Sequence, residues 1–438
     1  MASEIKSTST TPPRRIPISV QGQAEAPVNG VSLRWLLVMP HRLFFFLGML
    51  GLICASLWWL AQMLARPFGL TLPLAVPPAW IHGWSMANGF LPLFMFGFLF
   101  TAGPKWLHVE GPPARALLVP GLLAFGGVLV VLICAQVDPL LAAAGALLVA
   151  SGWGALLLRF LRLYRASRFP DRVHARLILV FFGFGWLAHL AFAIGLVQTS
   201  VVWVHSAEML SIWLFIAPVY VTVAHRLIPF FTAGVVPLLD AWRPLWLLVV
   251  VNGVVIAHGL LPVLGLLLPG SAIVWLRFAV DATGAVLLFF VAWRWGVVQS
   301  LRNRLLAMLH LGFLWLGIAL ALYAWSQAAL LLGLPRAALG LAPLHALTMG
   351  FFGGVAFAMV TRVTAGHGGR QLIAESLTWV LFWTLQTAVL TRLAVDAWPA
   401  QGLWPTSLAV TLWCVAFIPW AWRNLVIYLS PRADGRAG

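Results

Sequence analysis

The stretch Trp80–Trp106, WIHGWSMANGFLPLFMFGFLFTAGPKW, is apolar for long enough to cross a bilayer and carries a histidine within one turn of its start. A helix of ~20 apolar residues spans the hydrocarbon core, and an imidazole inside it must be paired, ligated or turned to a cavity. His82 therefore needs a partner. The best partners sit far downstream at similar places in two other apolar runs, His205 in WVHSAEML and His345 in PLHALTMG.

The rest of the chain has the same character. Hydrophobic residues make up 62% of the 438 and charged residues 9%, with a mean hydropathy of +0.97. That leaves too little polar surface to cover a soluble globule, so the chain reads as an integral membrane protein. Windows of roughly 20 apolar residues predict an all-α bundle of about twelve transmembrane helices. They begin near Leu43, Trp80, Ala116, Pro139, Leu177, Val201, Leu245, Ala272, Leu305, Gly340, Ser376 and Leu403, and are numbered spans 1–12. Residues 39–430 are expected to form one transmembrane domain. Residues 1–38, rich in Ser, Thr and Pro, read as a disordered tail without a cleavable signal peptide, and 431–438 as a short second tail.

Orientation follows from the cations. With the amino terminus inside, all but four of the 27 lysines and arginines fall on the inner side; Arg66, Arg277, Arg336 and Arg392 are the exceptions. Both termini are thus expected in the cytoplasm, and the multi-pass chain in a bacterial inner membrane. The formal charge of +16 sits at the ends of apolar runs, so it encodes topology and not nucleic-acid binding. Cys54, Cys134 and Cys414 lie inside apolar runs, and Cys-x-x-Cys-His does not occur, so neither a disulfide framework nor covalently held haem is expected.

Depth sorts the eleven histidines. His41, His108, His174, His225, His310 and His367 fall near inner span ends and read as interfacial or cap residues. His82, His189, His205, His258 and His345 fall in the outer half of five different spans. Five imidazoles at one depth suggest a shared polar or metal-binding layer. Two histidines from facing helices can ligate a haem iron from both sides; His82 and His345 are the candidates, with Arg277 and Arg336 favoured as partners for haem carboxylates. Glu208 stands three residues after His205 on the same helical face and serves as a metal ligand, a proton carrier or a partner for histidine. With His205, His258 and His189 it offers the imidazole and carboxylate donors of a copper site. Asp281, one turn from Arg277, reads as a structural ion pair. Spans 2, 6 and 10 each start with a histidine and end near a threonine or a basic cluster, which suggests three four-span units.

LIPFFTAG (227–234), PLHALTMGFFGG (343–354), MVTRVTAGHGGR (359–370) and GFLFTAGPKW (97–106) resemble the signature stretches of the NnrS family of membrane proteins. The resemblance covers most of the chain and implies a haem- and copper-containing protein of the nitric oxide response. In span 2, Trp84 and Ser85 replace a histidine and a glutamate that family members often show, which shifts weight to His205, Glu208 and His258. A weaker resemblance, carried by HGWSM and HSAEM, is to the haem-copper oxidase and nitric oxide reductase superfamily. Together these imply non-covalent haem b, copper, nitric oxide as substrate, quinol or an external carrier as electron donor, and Glu208 as catalytic proton carrier. A non-catalytic sensor or protector against nitric oxide is the alternative, and a proton-coupled transporter the third reading.

Overall fold

The computed structural model describes residues 30–268, 270–334, 338–398 and 403–435. Among them are twelve helices long and apolar enough to cross a membrane. Spans 1–4 are Pro40–Phe68, Pro78–Leu107, Ala114–Cys134 and Pro139–Ala166; spans 5–8 are Val173–Val197, Val201–Ala233, Leu245–Leu267 and Ser271–Arg294. Spans 9–12 are Arg304–Leu331, Ala342–His367, Ser376–Ala397 and Trp404–Tyr428. No strand occurs among the described residues, and each helix starts within a turn or so of its expected place. Of the expected tails, residues 1–29 and 436–438 lie outside the described residues, while Leu33–Leu37 forms a single 3-10 turn.

The two chain ends lie on one face of the bundle, called the N-terminal face below. The Ser32 amide donates to the Leu429 carbonyl at 2.8 Å. The Arg42 guanidinium donates to the carbonyls of Ile427, Tyr428 and Ser430 at and just past the end of span 12. A cation at a helix carboxyl end also meets the negative end of its dipole. One buried arginine thereby fastens the first span to the last.

Packing repeats every four spans. Spans 1, 5 and 9 each pack against the span that precedes them around the bundle, namely 12, 4 and 8, and each also packs on the span that follows. Spans 2, 6 and 10 are the equivalent inner members. Cation–π contacts repeat the relation: Arg226 of span 6 lies 4.8 Å from the Trp106 ring of span 2, and Arg362 of span 10 lies 4.0 Å from the Phe231 ring of span 6. The three-unit pattern suggested by the sequence is therefore present in the packing.

All three inner spans depart from regular α-helix below their histidine or glutamate. Span 2 breaks between Pro78–Asn88 and Leu91–Leu107, where Pro92 opens the second segment. Span 6 widens to a π-helix at Leu210–Ile216, just ahead of Pro218, whose ring and missing N–H disfavour the α-helical bond. Span 10 does the same at Ala346–Gly353. Here Trp315 of span 9 occupies the space that a Cβ at Gly350 would need, at 2.5 Å. Asn88 and Ser211 join the first two irregularities: the Asn88 amide donates to Ser211 Oγ at 3.0 Å, and Ser211 Oγ lies 3.2 Å from Asn88 Oδ1.

Both residues of that clamp are buried. Replacing Asn88 by Leu strands the Ser211 hydroxyl and is expected to cost about 1–3 kcal/mol. The thermal midpoint in detergent should fall, and the double variant Asn88→Leu/Ser211→Ala should recover part of the loss.

Candidate functional site

His82 lies in the first helical segment of span 2, in the half of the bundle away from the N-terminal face. Its ring stacks on Trp59 of span 1 with centroids 3.8 Å apart and planes 17° from parallel. Its Nδ1 is buried without a hydrogen-bond partner. His345 is the last residue before the π-helical turn of span 10. Its Nδ1 donates to the Leu341 carbonyl one turn back, at 2.9 Å, since a carbonyl only accepts. That fixes the tautomer and leaves Nε2 with a free lone pair, as in histidines that bind metal.

These two histidines are brought together: His82 and His345 lie within electrostatic reach of each other, and Arg392 of span 11 acts on both. Arg392 is held by Asp396 at 2.8 Å. Glu208 approaches span 2 from span 6, its carboxylate resting on the backbone of Gly83, where an added Cβ would stand 2.5 Å from Oε1. The glycine after His82 is thus what admits Glu208. His205 Nδ1 lies 3.9 Å from Glu208 Oε2 and is the exposed partner, 67% accessible against 31% for the glutamate.

The other two histidines of the layer lie apart. His258 donates from Nδ1 to Asp281 Oδ1 at 2.6 Å, with both side chains buried. Its ring is flanked by Trp213 at 4.1 Å and Tyr323 at 4.3 Å. Gly259 is required because Trp213 fills the place of its Cβ. Asp281 is therefore bonded to His258 of span 7, where the sequence suggested Arg277 of its own span. Arg277 and Asp281 both act on Tyr323. His189 is fully buried with both ring nitrogens unpartnered, edge-on to Trp84 at 5.8 Å and Trp153 at 4.8 Å. The Trp84 Nε1–H beside it also lacks a partner.

A family model described as NnrS protein matches residues 35–432. The chain belongs to the NnrS family. No match was found among curated proteins. Of the stretches that carried the resemblance, 343–354 holds His345 and the π-helical turn after it, whereas 97–106, 227–234 and 359–370 lie at the N-terminal-face ends of spans 2, 6 and 10.

The donors of this NnrS family member suit haem. His82 and His345 come from separate spans, one with a free Nε2 and the other with an orphaned ring nitrogen, and a cation stands beside both. A copper set is not preassembled. Among the described residues no three His, Cys, Asp or Glu side chains converge on one point. His205 faces outward, His258 is turned to Asp281, and His189 sits in its aromatic cage. Arg336 lies outside the described residues.

Sequence depth alone missed two features: Arg392 was one of four outer cations with nothing to single it out, and Trp59 carries no signal until spans 1 and 2 meet. The histidines near the N-terminal face are also more than caps, because His41, His174, His225 and His310 are all buried. His174 Nε2 lies 3.1 Å from His225 Nδ1, and His225 Nε2 donates to the Pro244 carbonyl at 3.1 Å. His310 bonds to Thr232 at 2.9 Å.

The His258–Asp281 bond is a buried pair whose halves need each other. His258→Phe should destabilise the protein by about 3–5 kcal/mol, because it leaves a carboxylate alone in the bundle. His258→Phe/Asp281→Leu should restore most of the thermal midpoint, as measured by unfolding in detergent.

Proposed function

We propose that this protein holds haem b between His82 and His345 and uses it to bind and reduce nitric oxide in the half of the bilayer away from the N-terminal face. Membership of the NnrS family supports a role in the nitric oxide response. The observation that carries the finer reading is that spans 2 and 10 each bring, in the same half of the bundle, a histidine with an unengaged ring nitrogen, Nδ1 of His82 and Nε2 of His345.

A haem held there would supply a redox-active iron, and nitric oxide would reach that iron by displacing one of the two histidines. The chain's own residues do the rest. The Leu341 carbonyl holds the His345 ring with Nε2 presented, and the Trp59 face fixes the plane of His82. Arg392 offers a cation for a haem carboxylate. Reduction of two nitric oxide molecules to nitrous oxide and water consumes two electrons and two protons. Glu208, between exposed His205 and Gly83 of span 2, would pass those protons inward. Electrons come from quinol or an external carrier, and nitric oxide, small and apolar, arrives through lipid. Copper, where bound, has His205 with Glu208, or His258 backed by Asp281, as its donors. The N-terminal face is then cytoplasmic, in a bacterial inner membrane.

Full-length protein expressed with ample haem should show a Soret band that shifts on adding nitric oxide. His82→Ala and His345→Ala should each lower bound haem at least tenfold by pyridine haemochrome assay. Absence of a Soret band in the folded parent protein would sink the proposal.

Glu208→Gln should retain haem yet slow nitric oxide consumption by about 10²–10⁴-fold, the range for a lost general acid or base. If the parent's spectrum shifts while its consumption with reduced quinol stays at that of free haem, binding without turnover is the function.

A further inference from the structure

A separate apolar cavity lies between spans 1, 2, 5, 6 and 10. Its walls are apolar, with Phe45, Phe94, Met95, Phe182 and Val355 among them and Tyr220 as the one residue bearing a polar group. The first wall residues on spans 2 and 10, Phe94 and Val355, come about 15 Å further along the helix axis than His82 and His345. The cavity thus belongs to the other half of the bundle and is distinct from the histidine site.

Its open side can be read from exposure. On the inner spans the partly exposed wall residues are Phe98, Val223, Met359 and Val363, which are at or near the N-terminal-face end of each wall segment; the others are buried. The cavity therefore opens toward the N-terminal face. One turn beyond this mouth, three residues on and on the same helical faces, stand Arg226 after Val223 and Arg362 after Met359. Arg226 reaches across to Trp106 and Arg362 across to Phe231, so the two guanidinium groups bridge the gaps between spans 2 and 6 and between spans 6 and 10. Among the described residues neither forms an ion pair with a carboxylate. Asp171 attracts Arg226 from beyond ion-pair distance, while Arg243 repels it. An apolar chamber with an unneutralised basic mouth is complementary to a molecule that has an acyl chain and an anionic head.

We propose that this cavity binds the acyl chain of an anionic amphiphile, with its head seated between Arg226 and Arg362. Basic pockets between helices on the cytoplasmic side are suited to anionic headgroups, and the cation count assigns this face to the cytoplasm. A free fatty acid and an anionic phospholipid share the chemistry; neither the haem nor nitric oxide enters the argument.

The test uses delipidated full-length protein in a neutral detergent, titrated with oleate, phosphatidylglycerol, oleyl alcohol or phosphatidylcholine and read by native mass spectrometry and thermal midpoint. Oleate or phosphatidylglycerol should bind at least tenfold more tightly than its neutral counterpart and raise the midpoint. Preference for oleate identifies a free fatty acid, and preference for phosphatidylglycerol a lipid of the membrane. Arg226→Gln/Arg362→Gln should lower binding of the anionic ligand at least tenfold and leave that of oleyl alcohol unchanged. Ala356→Trp, which fills the cavity, should abolish chain binding; should that variant fail to fold, Val360→Phe makes the same measurement with a smaller intrusion. Equal binding of charged and neutral amphiphiles, binding unaffected by filling the cavity, or no binding of either anionic ligand overturns the proposal.

Discussion

A polar group in hydrocarbon has to find its partner inside the protein, because no water is there to supply one. For the backbone this constraint dictates helices. For the side chains it gives the interior part of its pattern, since several buried donors reach across to another span. Arg42 fastens span 1 to the carbonyls that end span 12, Asn88 meets Ser211 between spans 2 and 6, and His258 meets Asp281 between spans 7 and 8. Against this background the unpartnered nitrogens of His82 and His189 are conspicuous. They are among the buried groups where the protein alone leaves hydrogen-bonding or ligating capacity unused.

The irregular turns of spans 2, 6 and 10 belong to the same account. A helix that widens or breaks frees backbone groups and rotates the residues before it relative to those after it. In each inner span the histidine or glutamate lies on one side of the irregularity and the apolar cavity wall on the other. The irregularities thus let one helix present a polar face near one membrane surface and an apolar wall nearer the other. Glycines make the closest approaches possible: Gly83 admits the Glu208 carboxylate, Gly259 the Trp213 ring and Gly350 the Trp315 ring.

Much of this was legible in the chain. The twelve spans follow from runs of apolar residues, and their repeated order follows from the similar starts and ends of spans 2, 6 and 10. His82, His345 and Glu208 stood out because polar residues at that depth are few. Less legible was which of them meet. Arg277 looked like the partner of Asp281 because residues four apart share a helical face, yet the shorter contact comes from His258 on the neighbouring span. His174 and His310 looked interfacial because they lie near span ends, yet the adjoining spans bury them.

The sequence by itself determined depth: how many helices cross, where each begins, which face holds the cations, and at what level the histidines sit. Hydropathy records that one coordinate because the bilayer varies along its normal and is uniform in its plane. The tertiary structure alone decided direction within the plane, bringing His82 to His345 and Arg392 while leaving His189 and His258 in separate surroundings. That choice rests on packing between helices of nearly equal hydrophobicity, where small residues and matched side-chain shapes determine which faces touch.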